Sequence, residues 1–129
     1  MRRVITYGTF DTLHYGHIKL IQRAKLLGDH LTVGLSTDDF NKKKGKTSLQ
    51  NFEERKSIIS SLKEIDLIIE EQSWHQKIYD IKNLRIDVFA MGSDWCGKFD
   101  AISDHCEVQY IERTPEISSS AIKRFITNE

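Results

Sequence analysis

Short apolar runs alternate with helix-period segments along this chain, and that alternation restricts the fold more than any other feature. Residues 3–7 read as a first strand, ended by Gly8. Ile18, Leu20, Ile21, Ala24 and Leu27 then recur at helical spacing over 17–27, with Gly28 as a stop. Residues 31–35 form a second strand, and the polar, lysine-rich stretch 37–48 is expected as a loop. A helix is predicted over 51–62, with Phe52, Ile58, Ile59 and Leu62 on its apolar face. Strands follow at 66–69, 87–91 and 107–111, with a short helix at 76–83. Ser118, Ser119 and Ser120 open a last helix carrying Ala121, Ile122, Phe125 and Ile126.

Strands separated by helices need right-handed crossovers, which build a parallel sheet covered on both faces. The expected architecture is therefore α/β, a single Rossmann-like doubly wound domain over 1–129 with a five-stranded parallel sheet. Ligands of such sheets sit beyond the carboxyl ends of the strands. Gly8, Ser36, Gly92 and Arg113 all follow strand ends.

Composition narrows the function classes. Lys plus Arg and Asp plus Glu are equal at 19 each, whereas a dedicated nucleic-acid binder carries a basic surplus. No apolar run approaches the ~20 residues needed to span a bilayer. The segment 1–8 is too short before its turn to act as a signal peptide. Cys96 and Cys106 lack metal-binding spacing, so reduced thiols and a cytoplasmic setting are expected.

The chemistry concentrates after the first strand, in Gly8-Thr9-Phe10-Asp11 and His14-Tyr15-Gly16-His17. A helix N-terminus offers unpaired N–H groups and the positive end of a dipole, which suits phosphate. Gly8 and Gly16 would let the backbone approach a ligand closely. Residues three apart share a helical face, so His14 and His17 can enter one pocket and donate to phosphate oxygens as charge develops. Asp11 could fix a histidine tautomer or an N–H in the turn. Zinc-binding helical histidines are usually four apart with a carboxylate nearby, which this pair is not.

The pattern Gly8-Thr9-Phe10-Asp11-x-x-His14-x-Gly16-His17 resembles the signature of the cytidylyltransferase-like nucleotidyltransferases, and specifically their glycerol-phosphate branch. The likeness extends to Ser36-Thr37-Asp38, Lys44 and Lys46, Glu54-Arg55-Lys56, Trp74-x-x-Lys77, Met91-Gly92-x-Asp94-Trp95 and Arg113-Thr114-x-x-Ile117-Ser118. Pro115-Glu116 stand where the family has a glycine before the Ile-Ser pair, and Lys63 where it has arginine.

The resemblance implies that CTP and sn-glycerol 3-phosphate are joined into CDP-glycerol with release of pyrophosphate, a step toward wall teichoic acid. It implies catalytic roles for His14, His17, Lys44 and Arg113. The CTP site would comprise Thr9, Phe10, Asp11, His14, His17, Lys46, Gly92, Asp94, Trp95, Arg113, Thr114, Ile117, Ser118, Ser119 and Ser120. Lys44, Arg55 and Lys77 would hold glycerol phosphate, and Mg2+ would arrive with the nucleotide rather than in a dedicated protein site. A homodimer is implied as well. Ser118–120 equally suit a plain helix cap, and Trp95 equally suits a core filler beside a turn aspartate.

The acceptor brings an ionised phosphate oxygen, so neither a side-chain nucleophile nor a covalent enzyme intermediate is required. An adenylyltransferase of the FAD synthase type and a non-catalytic nucleotide sensor are the competing readings. A phosphocholine or phosphoethanolamine acceptor is a further rival.

Overall fold

The structure, a computed structural model, describes residues 1–112. The expected last helix and the site residues Arg113, Thr114, Ile117, Ser118, Ser119 and Ser120 lie outside that range. Eleven elements run in the order β1 (Arg3–Gly8), α1 (Tyr15–Leu26), β2 (His30–Ser36), α2 (Asp38–Lys43), α3 (Phe52–Ser60), β3 (Leu67–Glu71), α4 (Gln76–Asn83), β4 (Val88–Gly92), two 3₁₀ turns (Ser93–Trp95 and Asp100–Asp104) and β5 (Glu107–Ile111).

The strands form one five-stranded sheet in the order β3-β2-β1-β4-β5, with every neighbouring pair parallel. The order reverses direction at β1, so the crevice between the carboxyl ends of β1 and β4 is the switch point where ligands bind in such sheets. β1 and β2 are apolar along their length because both faces are covered: Val4, Leu31, Val33 and Leu35 pack on one side with Ile21, Ala24 and Ile59, and Ile5, Tyr7 and Phe89 on the other with Ile81 and Ile102. The edge strand β5 instead alternates exposed and partly buried positions before Ile111.

Two sequence expectations change. Residues 37–48 are not all loop, because α2 occupies Asp38–Lys43. Its signals are present in the sequence: Thr37 caps the Phe40 N–H, Asp38 and Asp39 lie in the first turn, and Lys42 and Lys43 lie in the last. The lysine run completes a helix dipole as well as facing solvent. β3 also runs two residues past Ile69, through Glu70 to Glu71, because backbone pairing of Leu35↔Glu70 and Ser36↔Glu71 overrides the low strand propensity of glutamate.

Candidate active site

A cavity of about 560 Å³ opens beyond the carboxyl ends of the strands. It is bordered by the turn after β1 (Gly8 to Asp11, His14, Gly16, His17), the end of β3 (Glu71), the end of β4 and the turn beyond it (Met91 to Trp95) and the end of β5 (Ile111, Glu112). Lys44, Lys46, Trp74 and Lys77 close another side. Of the site residues expected from sequence that lie within 1–112, the structure gathers Thr9, Phe10, Asp11, His14, His17, Lys44, Lys46, Lys77, Gly92, Asp94 and Trp95 around this cavity. Arg55 is not on its wall.

His14 is the N-cap of α1, and its Nδ1 accepts the Gly16 N–H at 3.0 Å. The His17 Nδ1 accepts the His14 N–H at 3.3 Å, so the two imidazoles form a reciprocal capping box. Their rings stack with centroids 3.9 Å apart. An Nδ1 that accepts cannot carry a proton, so the hydrogen-bond network assigns the proton of each neutral ring to Nε2. The backbone of the helix terminus thereby fixes one tautomer on both rings.

The turn that delivers these rings is strained. Phe10 and Thr12 both have φ near 50°, in the left-handed region. Phe10 is 5% exposed and meets the His17 ring edge-on at 5.5 Å. A Cβ on Gly8 would lie 2.9 Å from the Phe10 ring. Gly8, which borders the cavity, therefore also makes room for Phe10. Gly92, by contrast, has open space where a Cβ would project, which leaves its backbone approachable. Asp11 is buried, and its carboxylate accepts the Leu49 and Gln50 N–H groups. It ties the segment ahead of α3 to the histidine turn.

Arg55 also departs from its expected place. It is fully buried and donates to the carbonyls of Thr9, Ser36 and Gln50 and to Asp38 Oδ1 at 2.8 Å. The sequence reading put it against the acceptor phosphate. The structure uses its planar fork to join the ends of β1 and β2 to the start of α2, a task suited to guanidinium geometry. The Arg55 and Phe52 N–H bonds hold the Asp38 carboxyl below the usual carboxylate range, with the Phe52 backbone the larger cause.

The opposite wall is a buried ionic group. Glu71, 3% exposed, accepts Ser36 Oγ–H at 2.6 Å on Oε1 and Lys77 Nζ at 2.6 Å on Oε2. Lys44 Nζ donates to Ser36 Oγ at 2.9 Å and stands 3.9 Å from Glu71 Oε1. Aromatic faces line both cations: Lys77 lies 4.7 Å from the Tyr7 ring centre and 4.9 Å from that of Trp74, and Lys44 lies 4.6 Å from that of Phe40. Burial pulls Lys44 down to about 8, although the Glu71 charge opposes the shift. Tyr7 donates to Asp80 at 2.7 Å, and burial together with that carboxylate pushes its hydroxyl far above the usual tyrosine range. Sequence reasoning missed Glu71, Asp80 and Tyr7. An acidic residue at a strand end is a weak signal by itself, and only packing shows what surrounds it.

A cytidylyltransferase-like family model matches residues 5–125. The chain belongs to that family. Among its relatives, the glycerol-3-phosphate cytidylyltransferase of Bacillus subtilis is 53% identical and the match covers 98% of each chain. That of Staphylococcus aureus is 52% identical over 96% of this chain and 94% of its own. A solved structure of a lipopolysaccharide core biosynthesis protein from Thermoplasma volcanium superposes with a TM-score of 0.74 at 26% identity, covering 88% of this chain and 98% of that one.

Proposed function

We propose that this chain transfers a cytidylyl group from CTP to sn-glycerol 3-phosphate, giving CDP-glycerol and pyrophosphate. The observation that carries the reading is one cavity with two phosphate-suited walls: the stacked His14 and His17 rings on one side, Lys44 and Lys77 on the other. The relatives' shared activity at about half identity over nearly the whole chain supports the nucleotide and acceptor.

A phosphate monoester has a second pKa near ~6, so the acceptor is largely a dianion at neutral pH and needs no general base. Its oxygen attacks the α-phosphorus in line, a P–O bond forms there, and the α–β bridging bond breaks as pyrophosphate leaves. His14 and His17 donate to the non-bridging α-oxygens, where charge is redistributed in the transition state. In this reading Arg113, Thr114 and Ser118–120, beyond the described residues, receive the pyrophosphate. Lys46, Gly92, Asp94 and Trp95 border the nucleoside end. Mg2+ would accompany the nucleotide's own phosphates in this reading.

The aromatic wall favours glycerol phosphate over phosphocholine. A quaternary ammonium is bound on open aromatic faces, and here the Lys77 and Lys44 ammonium groups lie over Tyr7, Trp74 and Phe40. Pyrophosphate release is the test, with CTP and ATP each offered alongside glycerol 3-phosphate, phosphocholine and FMN. Release with CTP and glycerol 3-phosphate is expected. Release only with ATP and FMN would instead establish an FAD synthase, and nucleotide binding without release from any pair a sensor. A supply role in wall teichoic acid synthesis, a cytoplasmic setting and a homodimer complete the proposal. No helix among the described residues is long and apolar enough to cross a membrane.

A further inference from the structure

Glu71, at the end of β3, is the most buried acid on the cavity wall after Asp11. We propose that Glu71 is a positioning residue for the acceptor phosphate: it holds Lys44 and Lys77, which come from different elements, gathered at one end of the cavity. This rests on the cytidylyl-transfer reading above.

The geometry carries the assignment. Lys44 caps the C-terminus of α2 and Lys77 stands in the first turn of α4, so no local pairing brings them together. Glu71 bonds Lys77 directly and reaches Lys44 through Ser36 Oγ, a four-group chain in which Ser36 donates to the carboxylate and accepts from the ammonium. The side chains of Lys44, Lys77 and Glu71 are 8%, 5% and 4% exposed. Two ammonium groups this buried repel each other and lose hydration, and a carboxylate between them offsets both effects. Two cations against one anion still leave a net positive charge toward the cavity, matched to an incoming phosphate. Trp74 lies over both lysines, 4.9 Å from Lys77 and 5.9 Å from Lys44, and limits where each can swing.

The charged groups around Lys44 come from several elements: Glu71 of β3 raises its proton affinity, while Lys46 beyond α2, Lys77 of α4 and Arg55 of α3 lower it. Around Lys77 stand Glu71 and the Tyr7 ring, with Tyr7 itself bonded to Asp80 of α4. Removing the Glu71 charge leaves the three cations acting on Lys44 without their counterweight. Lys44 then loses its proton at lower pH, and the acceptor loses a partner as pH rises.

The test compares wild-type enzyme with E71Q, which keeps shape and one acceptor oxygen. KM for glycerol 3-phosphate and KM for CTP are measured from pH 6.5 to 9. For E71Q the expected result is a KM for glycerol 3-phosphate raised about tenfold at pH 8 and less at pH 6.5. The alkaline limb of kcat/KM for that substrate moves down by about one pH unit, with KM for CTP within about twofold. S36A breaks only the link to Lys44 and should move the limb the same way by less; it carries the test if E71Q does not fold. An unmoved alkaline limb, or an equal loss for CTP and glycerol 3-phosphate, overturns the assignment. Wild-type protein that releases no pyrophosphate from CTP and glycerol 3-phosphate would overturn the parent reading instead.

Discussion

His14 has two separable tasks, since the ring that caps α1 through Nδ1 also borders the cavity. Asparagine caps a helix as well as any residue but cannot place a donor where Nε2 stands. His14→Asn is expected to keep the melting temperature within a few degrees of wild type and to lower kcat by about 10²-fold or more, with CTP affinity nearly unchanged. His14→Ala should lose the cap as well, at about 1 kcal/mol. Arg55 gives the reverse pattern. Lysine cannot reproduce its four hydrogen bonds, so Arg55→Lys should cost about 2–4 kcal/mol in urea unfolding. A raised KM for glycerol 3-phosphate with unchanged stability would return Arg55 to the acceptor site.

At the scale of elements, α2 is short, with six residues, and depends on its cap. Thr37 Oγ1 accepts the Phe40 N–H at 3.1 Å, and the far end of the helix sets Lys44 over the Phe40 ring. Thr37→Ala should cost about 1 kcal/mol. Because α2 carries Lys44 and no histidine, its loosening should raise KM for glycerol 3-phosphate several-fold more than KM for CTP in steady-state assays. The segment ahead of α3 is held by Asp11, so the histidine turn and the α2–α3 connection are mechanically joined. Reading 37–48 as loop concealed this, since four lysines within five residues hide the helix dipole they complete. The β1–α1 unit was legible because its apolar spacing, glycines and histidines all agree.

For the whole molecule, a further anchoring cluster lies at the end of the sheet opposite the cavity. At the amino ends, Asp66 Oδ2 accepts Lys25 Nζ at 2.6 Å and the Leu31 N–H at 2.8 Å, pinning the approach to β3 against α1 and β2. The Lys25 bond, then the Leu31 N–H, holds the Asp66 carboxyl below its usual range. A depressed carboxyl stabilises above its unfolded pKa of about 3.9, and the contribution is lost as pH falls through the lower folded value. Asp66→Asn should therefore cost about 1 kcal/mol at pH 7, after allowance for solvent screening, and less at about pH 3. Denaturant titrations at the two pH values check this, and activity per folded molecule should be unaltered because Asp66 is remote from the cavity wall.

The sequence by itself determined the parallel α/β sheet, the site at its carboxyl edge and the histidine turn. Each follows from local periodicity, or from residue types whose chemistry is legible one segment at a time. Only the tertiary structure decided that Arg55 is a girder, that Gly8 shelters Phe10, that both histidines carry their neutral-form proton on Nε2, and that Glu71 stands between Lys44 and Lys77. The histidine and Gly8 contacts are local but depend on the exact turn geometry, whereas the Arg55 and Glu71 contacts join groups tens of residues apart where water is excluded. Burial and a shared partner, not residue identity, set what a charge does there.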